Sequence, residues 1–386
     1  MKRSTDRIIM SHAGSLHRPD DLKTLMAARK DGEPFDAALA ARIKSAVAEV
    51  VKLQEDNGVD VVNDGEYTKR SWQSYARGRL GGIEYRALKS GELPSDSITA
   101  REQKYFPGYF KTPEAPGAGA ALGQQGVFCT GPITYVGQAE VQRDLEYFKA
   151  ALQGRNVAEG YLSALAPGTI EHWLRNDYYK TEEEFLFAVA DAMHEEYKTI
   201  TDAGIAIQLD DPDLPDGWQC HPELTEDEYL KYAAVRVEAL NHSIRDIKPE
   251  MVRLHICWGS SHHPHTQDLP ISKLFPLIFA VNADCVSFEA ANPMHEWEWV
   301  AFEDYKLPAG KFIMPGVLGH NSREFVEHPE LVAQRLIRYA NLVGRENVIG
   351  GTDCGLQRVA HAEIQWAKFR AGAEGARIAT KKLWGR

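Results

Sequence analysis

The feature that most limits the folds open to this chain is a recurrence. Eight short β-rich runs, each ending in glycine, proline or polar residues, alternate with stretches whose apolar residues recur at helical spacing. The runs are Arg7 to Ser11, Val59 to Asn63, Gly126 to Thr130, Ile205 to Leu209, Val252 to Cys257, Cys285 to Glu289, Lys311 to Pro315 and Asn347 to Gly351. Eight strand-then-helix units predict an α/β fold, the (β/α)8 TIM barrel. At 386 residues and 44% hydrophobic composition, the chain can bury such a core as one domain spanning residues 1–386.

The intervening helices have their own signals. Thr181 ahead of Glu182, Glu183 and Glu184 reads as an N-cap with acids in the first turn. Phe185, Val189, Ala192, Met193 and Tyr197 then line one face, and the helix should stop before Gly204. Phe35 to Asn57 and Pro329 to Val343 show the same periodicity, each ending at glycine. Two stretches break the regularity. Residues 84–125 are rich in Gly, Pro and Ala, too long for an ordinary connection, and are expected to form an insertion holding a hairpin or lid. Asn292 to Tyr305 gathers Trp297, Trp299, Phe302 and Tyr305 among acids, and reads as a wall of the barrel mouth or a subunit contact ahead of a substrate-stacking surface.

A formal net charge of −11 argues against nucleic acid as a partner and leaves a small molecule as the default ligand. The N-terminus MKRSTDRIIM lacks the apolar core of a signal peptide, and no stretch is long and apolar enough to span a bilayer, so a cytoplasmic location is expected. Five scattered cysteines (Cys129, Cys220, Cys257, Cys285 and Cys354) do not make a disulfide framework; reduced thiols, able to bind metal, fit better. The oligomeric state is left open, with a homo-oligomer among the options.

In RLHICWG, a strand period of two sends His255 and Cys257 to the same face. Glu289 ends the following run and Cys354 follows the last one, which puts all four at carboxyl ends of strands, the catalytic rim of this fold. Two thiolates, an imidazole and a carboxylate suit tetrahedral Zn²⁺, with sulfur at ~2.3 Å and nitrogen or oxygen at ~2.0 to 2.2 Å. A lone His-x-Cys pair is more often core, and it is the shared rim that tips the reading to a metal site. Cys129 and Cys285, within runs, read as core; Trp258 should point away from the metal. The loop SSHHPHTQD carries His262, His263 and His265, read as solvated or substrate-facing ahead of a second metal site.

The stretches HAGS, NDGE, GPIT, QLDDP, HICWG, FEAANP and TDCG, in that order from Ser11 to about Leu356, resemble the catalytic barrel of the cobalamin-independent methionine synthase family, in its short single-barrel form. The resemblance implies that His255, Cys257, Glu289 and Cys354 hold zinc, with Glu289 yielding its place when a substrate thiol arrives. It implies that Gly14, Ser15, Glu66 and Asp210 contact the amino-acid part of homocysteine, where carboxylates pair with the ammonium group. A structural hydrogen bond or helix cap is the competing reading for Glu66, Asp210 and Ser15. The family's catalytic histidine falls closest to Asn321 in GVLGHNS, with His320 adjacent. The indole that stacks on folate in the family is replaced by Gln138.

These departures leave the alkyl donor unassigned. A methyl group on a folate nitrogen needs a proton on the leaving atom, and so does the oxygen of an opening epoxide. His320 is suited to either, the alternative being an exposed loop histidine without a catalytic role. The leading function is a zinc-dependent thiol alkyltransferase, most simply methylating homocysteine. The first alternative is an epoxyalkane:coenzyme M transferase of the same superfamily, and the second a non-catalytic zinc-containing binding protein. In the first two, the partners are a small thiol, homocysteine or coenzyme M-like, and an alkyl donor.

Overall fold

The computed structural model describes residues 1–29, 35–89, 97–113, 115, 125–259 and 263–385. Among them ten strands form: β1 (Val61–Val62), β2 (Leu80–Ala87), β3 (Gln125–Tyr135), β4 (Glu159–Leu165), β5 (Arg175–Asn176), β6 (Ala206–Asp210), β7 (Val252–Ile256), β8 (Cys285–Phe288), β9 (Phe312–Leu318) and β10 (Gly351–Thr352). Seven make one parallel sheet in the order β1, β4, β6, β7, β8, β9, β10. The segment around Met10 joins its two edges. Ser11 N donates to Gly350 O at 2.8 Å, while Asp60 N and Val61 N donate to Met10 O at 2.8 and 3.0 Å. The sheet thereby curls into the expected barrel, with the first stave held by bridges rather than a full ladder.

One of the eight expected staves is misplaced. Gly126–Thr130 lies in β3, which pairs antiparallel with β2 and parallel with β5 in a separate three-stranded sheet. The true third stave is β4, of sequence EGYLSAL. Its Leu and Ala residues favour helix by propensity, whereas the aromatic and β-branched GVFCT run favours strand; burial of β4 between two barrel neighbours overrides that preference. The insertion thus supplies part of a hairpin, β2 with β3, followed after β2 by the short helix Ala100–Tyr105 and a 3-10 turn at Tyr109–Lys111; residues 90–96, 114 and 116–124 lie outside the described ones. The β2–β3 register shifts between Gly81 and Ile83. Gly82 there has φ +80°, and a Cβ would collide with the Pro132 carbonyl, so the bulge requires glycine.

The helices follow their signals closely. Glu182–Asp202 is capped by the Thr181 hydroxyl, which accepts from Glu184 N at 3.1 Å. Ala37–Asp56 is capped by Asp36, and Pro329–Val343 ends at Gly344. Their buried faces join one large core around the barrel. In the Asn292 to Tyr305 stretch, Phe302 is buried against Phe275 and Phe288, Trp299 packs on the core, and Trp297 is exposed. None of the three lines the cavity that contains His255 and Cys257, which gives no support to a substrate-stacking surface. No helix among the described residues is long and apolar enough to cross a membrane.

Inside the barrel the side chains form layers, because every second residue of each strand points inward. Ile9, Val61, Tyr161, Cys285, Phe312, Met314 and Ile349 fill the floor. Above them lies a polar layer centred on Arg253, which is fully buried. Its guanidinium donates to Gln208 Oε1 (2.7 Å), Ser11 Oγ (3.0 Å) and the His12 carbonyl (3.0 Å), and stacks over Tyr161. Continuing up β7 by twos from Arg253 gives His255 and then Cys257.

Candidate active site

At the carboxyl ends of the strands a cavity of about 320 Å³ opens, with His255, Cys257, Cys354, Asp210 and Ser15 in its lining. One ring nitrogen of His255 and the sulfurs of Cys257 and Cys354 lie within 4.8 Å of one another. His255 pairs in register with Asp210 on β6 and with Ser287 on β8. The Ser287 hydroxyl sits 2.9 Å from His255 Nδ1, which leaves Nε2 buried without a hydrogen-bond partner. A buried, unsatisfied imidazole nitrogen beside two sulfurs is the environment a metal ion completes. The donor set, one nitrogen and two sulfurs, fits zinc.

The two thiols influence each other in opposite directions. The hydrogen bond with Cys257 holds Cys354 well below the usual thiol range against the cost of burial, aided by His255 and the charge of His320. Cys257 is pushed well above that range by the same bond and by burial.

Glu289 stands beside this triad and not within it. Its carboxylate groups with His320 and Asp353, again within 4.8 Å. One oxygen accepts from Trp258 N at 3.1 Å and the other from Asn292 Nδ2 at 2.7 Å. Burial, reinforced by Asp353, pushes Glu289 well above the usual carboxylate range. Asp353 in turn accepts from Ala290 N, Ala291 N and Asn292 Nδ2 at 2.7, 2.8 and 3.0 Å. His320 is buried, 1% exposed, which corrects the alternative of an exposed loop histidine. Neither His320 nor Asn321 is in the lining of the cavity.

The HAGS segment contributes Ala13 and Ser15 to the lining, and the NDGE segment packs behind it. Asn63 and Asp64 side chains accept from Gly65 N (2.8 Å) and Glu66 N (2.9 Å), folding a tight turn that holds Glu66 at φ +60°. A non-glycine residue in that conformation carries strain, as functional residues often do. Glu66 Oε1 accepts from Ser163 Oγ at 2.9 Å and packs against Gly14, where φ is +128° and a Cβ would collide with that oxygen. Burial lifts the Glu66 carboxyl to about 7, against the pull of Lys69. Asp210 accepts from Gln208 Nε2 at 2.7 Å through Oδ1, while its Oδ2 is buried and unpartnered. Burial, with Glu66 and Cys354 adding to it, pushes Asp210 well above the carboxylate range. Ser15 does not cap the helix Asp20–Ala28, whose N-cap is Pro19; it packs instead against Gly355.

Several site residues escaped the sequence reading. Ser287 was findable, since it lies two residues before Glu289 on the same inward face. Thr169 and Trp173 line the cavity beyond β4, and went unseen because β4 itself did. Asp216 also lines it, from the helix Asp213–Cys220 after β6. Gln138 lies away from the cavity, exposed at the start of the helix Gln138–Leu152, donating to the Tyr135 carbonyl at 3.1 Å. Trp258 is buried and stacks on His295, with ring centroids 3.8 Å apart. Cys129 and Cys285 are core residues as expected, the first in the side sheet. His262 lies outside the described residues. The side chain of His265 is 3% exposed and bonded to Asp268, not solvated.

The chain is similar to known proteins over most of its length. A methionine synthase of Sulfurisphaera tokodaii is 25% identical over 373 residues, covering 96% of this chain and 92% of that one. One of Saccharolobus islandicus is 24% identical over 375 residues, covering 96% and 94%. Among solved structures, a B12-independent methionine synthase from a Shewanella species, in complex with selenomethionine, superposes with a TM-score of 0.73 at 20% identity, covering 98% of this chain and all of that one. A putative B12-independent methionine synthase from Listeria monocytogenes gives 0.66 at 18% identity, with the same coverage. The profile of the cobalamin-independent synthase catalytic domain matches residues 126–373, well over half of the chain, so the protein belongs to the cobalamin-independent methionine synthase family.

Proposed function

We propose that this chain is a zinc-dependent thiol methyltransferase that converts homocysteine to methionine. The observation that carries the reading is a pairing of unmet needs on one cavity: His255 Nε2 beside two cysteine sulfurs, and the unpartnered Oδ2 of Asp210. The first calls for a cation and the second for an ammonium group, and an amino acid with a thiol side chain answers both when a metal is bound.

His255, Cys257 and Cys354 are the residues that would hold zinc, with Glu289 as the further ligand that a substrate thiol replaces. When bound, the ion supplies positive charge that favours the thiolate form of a thiol at neutral pH. Asp210 and Glu66 fix the amino-acid end, and Gly14 and Ser15 let the backbone approach it; this holds the sulfur in one orientation, a large part of the rate advantage of such reactions. Transfer forms a bond between the sulfur and the donor's methyl carbon as the bond from carbon to the leaving atom breaks, and a proton is needed on that atom. His320, buried beside Glu289 and Asp353, is the group we assign to proton supply, in preference to Asn321, which has no titratable proton. A relative of the same fold was solved in complex with selenomethionine, which is in keeping with an amino-acid product.

The test is a product assay. Homocysteine, coenzyme M and glutathione are each offered with a methyl-folate, simple methyl donors and short epoxides. Methionine formed from homocysteine and a methyl donor is the expected outcome. Hydroxyalkyl thioethers formed from epoxides alone would overturn it.

A further inference from the structure

A second cluster of metal-ligand residues lies apart from the cavity lining. His265 Nδ1 is 2.6 Å from Asp268 Oδ2, and His295 Nε2 is 3.4 Å from the same oxygen. The side chains of His265, Asp268 and His295 are 3%, 6% and 3% exposed, and their donor atoms all lie within 4.8 Å of one another.

The surroundings are built to aim these atoms inward. Asp268 Oδ1 accepts from Gln219 Nε2 at 2.8 Å. His295 Nδ1 is 2.7 Å from Glu298 Oε1, and the other Glu298 oxygen accepts from Ile271 N. A carboxylate behind an imidazole is the usual outer support of a metal-ligating histidine, since it fixes the ring and its tautomer. His295 Nε2 is buried and pointed at Asp268, with which it makes only the 3.4 Å ion-pair contact. His265 holds a left-handed backbone, φ 56°, a strained conformation for a residue with a side chain.

We propose that His265, Asp268 and His295 form a second divalent-metal site, of the zinc class, tying the loop that follows β7 to the loop that follows β8. Two imidazoles and a carboxylate are ordinary zinc ligands, and donors at ~2.1 Å around a tetrahedral ion stand roughly 3.4 Å apart. The His295–Asp268 spacing already has that value. His265 has to withdraw by roughly 0.8 Å, from hydrogen-bond to metal-ligand spacing. On binding, the cation takes the place of the proton that His295 Nε2 directs at Asp268, which leaves to solvent, while His265 binds through Nδ1 as the tautomer that keeps its ring proton on Nε2. The site is structural. Its His295 ring supports Trp258, whose backbone N–H in turn holds Glu289, so the ion stiffens the strip next to Cys257 without entering the cavity.

The proposal stands independently of the thiol chemistry, and metal counting tests it. The full-length protein is loaded with excess zinc, desalted and measured for metal per chain. About two zinc ions are expected in the wild type and about one in His265→Ala and in His295→Gln. Cobalt-loaded His265→Ala should keep its thiolate charge-transfer absorption, because the cysteine site remains. Should the variants unfold, zinc X-ray absorption of the wild type decides: two sites average about one sulfur per zinc, whereas a single cysteine site gives about two. A wild type that holds one zinc with two sulfurs overturns the proposal. If Cys354→Ser leaves the zinc content unchanged while His265→Ala lowers it, the cysteine-site reading fails and this one stands.

Discussion

His255 and Ser287 face each other across the β7–β8 ladder as direct register partners, with Nδ1 and Oγ 2.9 Å apart. That contact selects which imidazole nitrogen is turned toward Cys257 and Cys354. Ser287→Ala should therefore lower zinc affinity roughly 10- to 100-fold, the usual effect of removing a ligand's orienting partner. A chelator-competition titration reads it, and an unchanged affinity would show that His255 is positioned by packing alone.

The cysteines divide by place in the barrel. Cys285 belongs to the apolar floor, whereas Cys257 and Cys354 stand on the rim. Cys285→Ala should cost about 1 kcal/mol of stability through a small cavity and leave metal content intact. Cys257→Ser should reduce metal content. Metal analysis beside thermal unfolding separates the two, and equal metal loss in both would break the assignment of Cys285 to the core.

Much of this arrangement was legible in the sequence, and the failures have identifiable causes. His255 and Cys257 were readable because a period of two on a buried strand leaves little freedom, and Glu289 and Cys354 because they follow strands that stand out by composition. β4 was missed because Leu and Ala residues in EGYLSAL signal strand only once neighbours bury them, and Thr169 and Trp173 were lost with it. Glu289 was rightly placed on the rim. Its turn toward His320 and Asp353 depends on hydrogen bonds from Trp258 N and Asn292, which no spacing rule shows. The His265–Asp268–His295 cluster joins two loops, and loops bring distant residues together without periodicity.

Asp210 offers a direct probe of substrate binding. Asp210→Asn keeps the shape and the Gln208 contact but removes the carboxyl group that can ionise against a substrate ammonium. A charge-assisted hydrogen bond contributes about 1.5 to 3 kcal/mol, so the homocysteine KM should rise roughly 10- to 100-fold while metal content holds. Steady-state kinetics with metal analysis checks this; an unchanged KM would place the ammonium elsewhere.

Glu66 ties stability to pH. Its carboxyl is raised from 4.5 to about 7 in the folded protein by burial, so the folded state holds this proton more tightly than the unfolded chain. Stability from this group is therefore present at low pH and lost as pH rises from about 4.5 to 7, by at most about 3 kcal/mol. Glu66→Gln, which cannot ionise, should gain stability relative to the wild type between pH 5 and pH 8 in the absence of substrate. Thermal unfolding at both pH values reads the gap, and a gap that does not change with pH would mean that Glu66 is ionised throughout.

The central claim is that a substrate thiol joins the metal held by His255, Cys257 and Cys354. Zinc X-ray absorption of the purified enzyme, with and without homocysteine, tests it most directly. The account predicts an additional sulfur in the zinc shell, with loss of a light-atom ligand, when homocysteine is present. A zinc shell that is the same in both samples would contradict it.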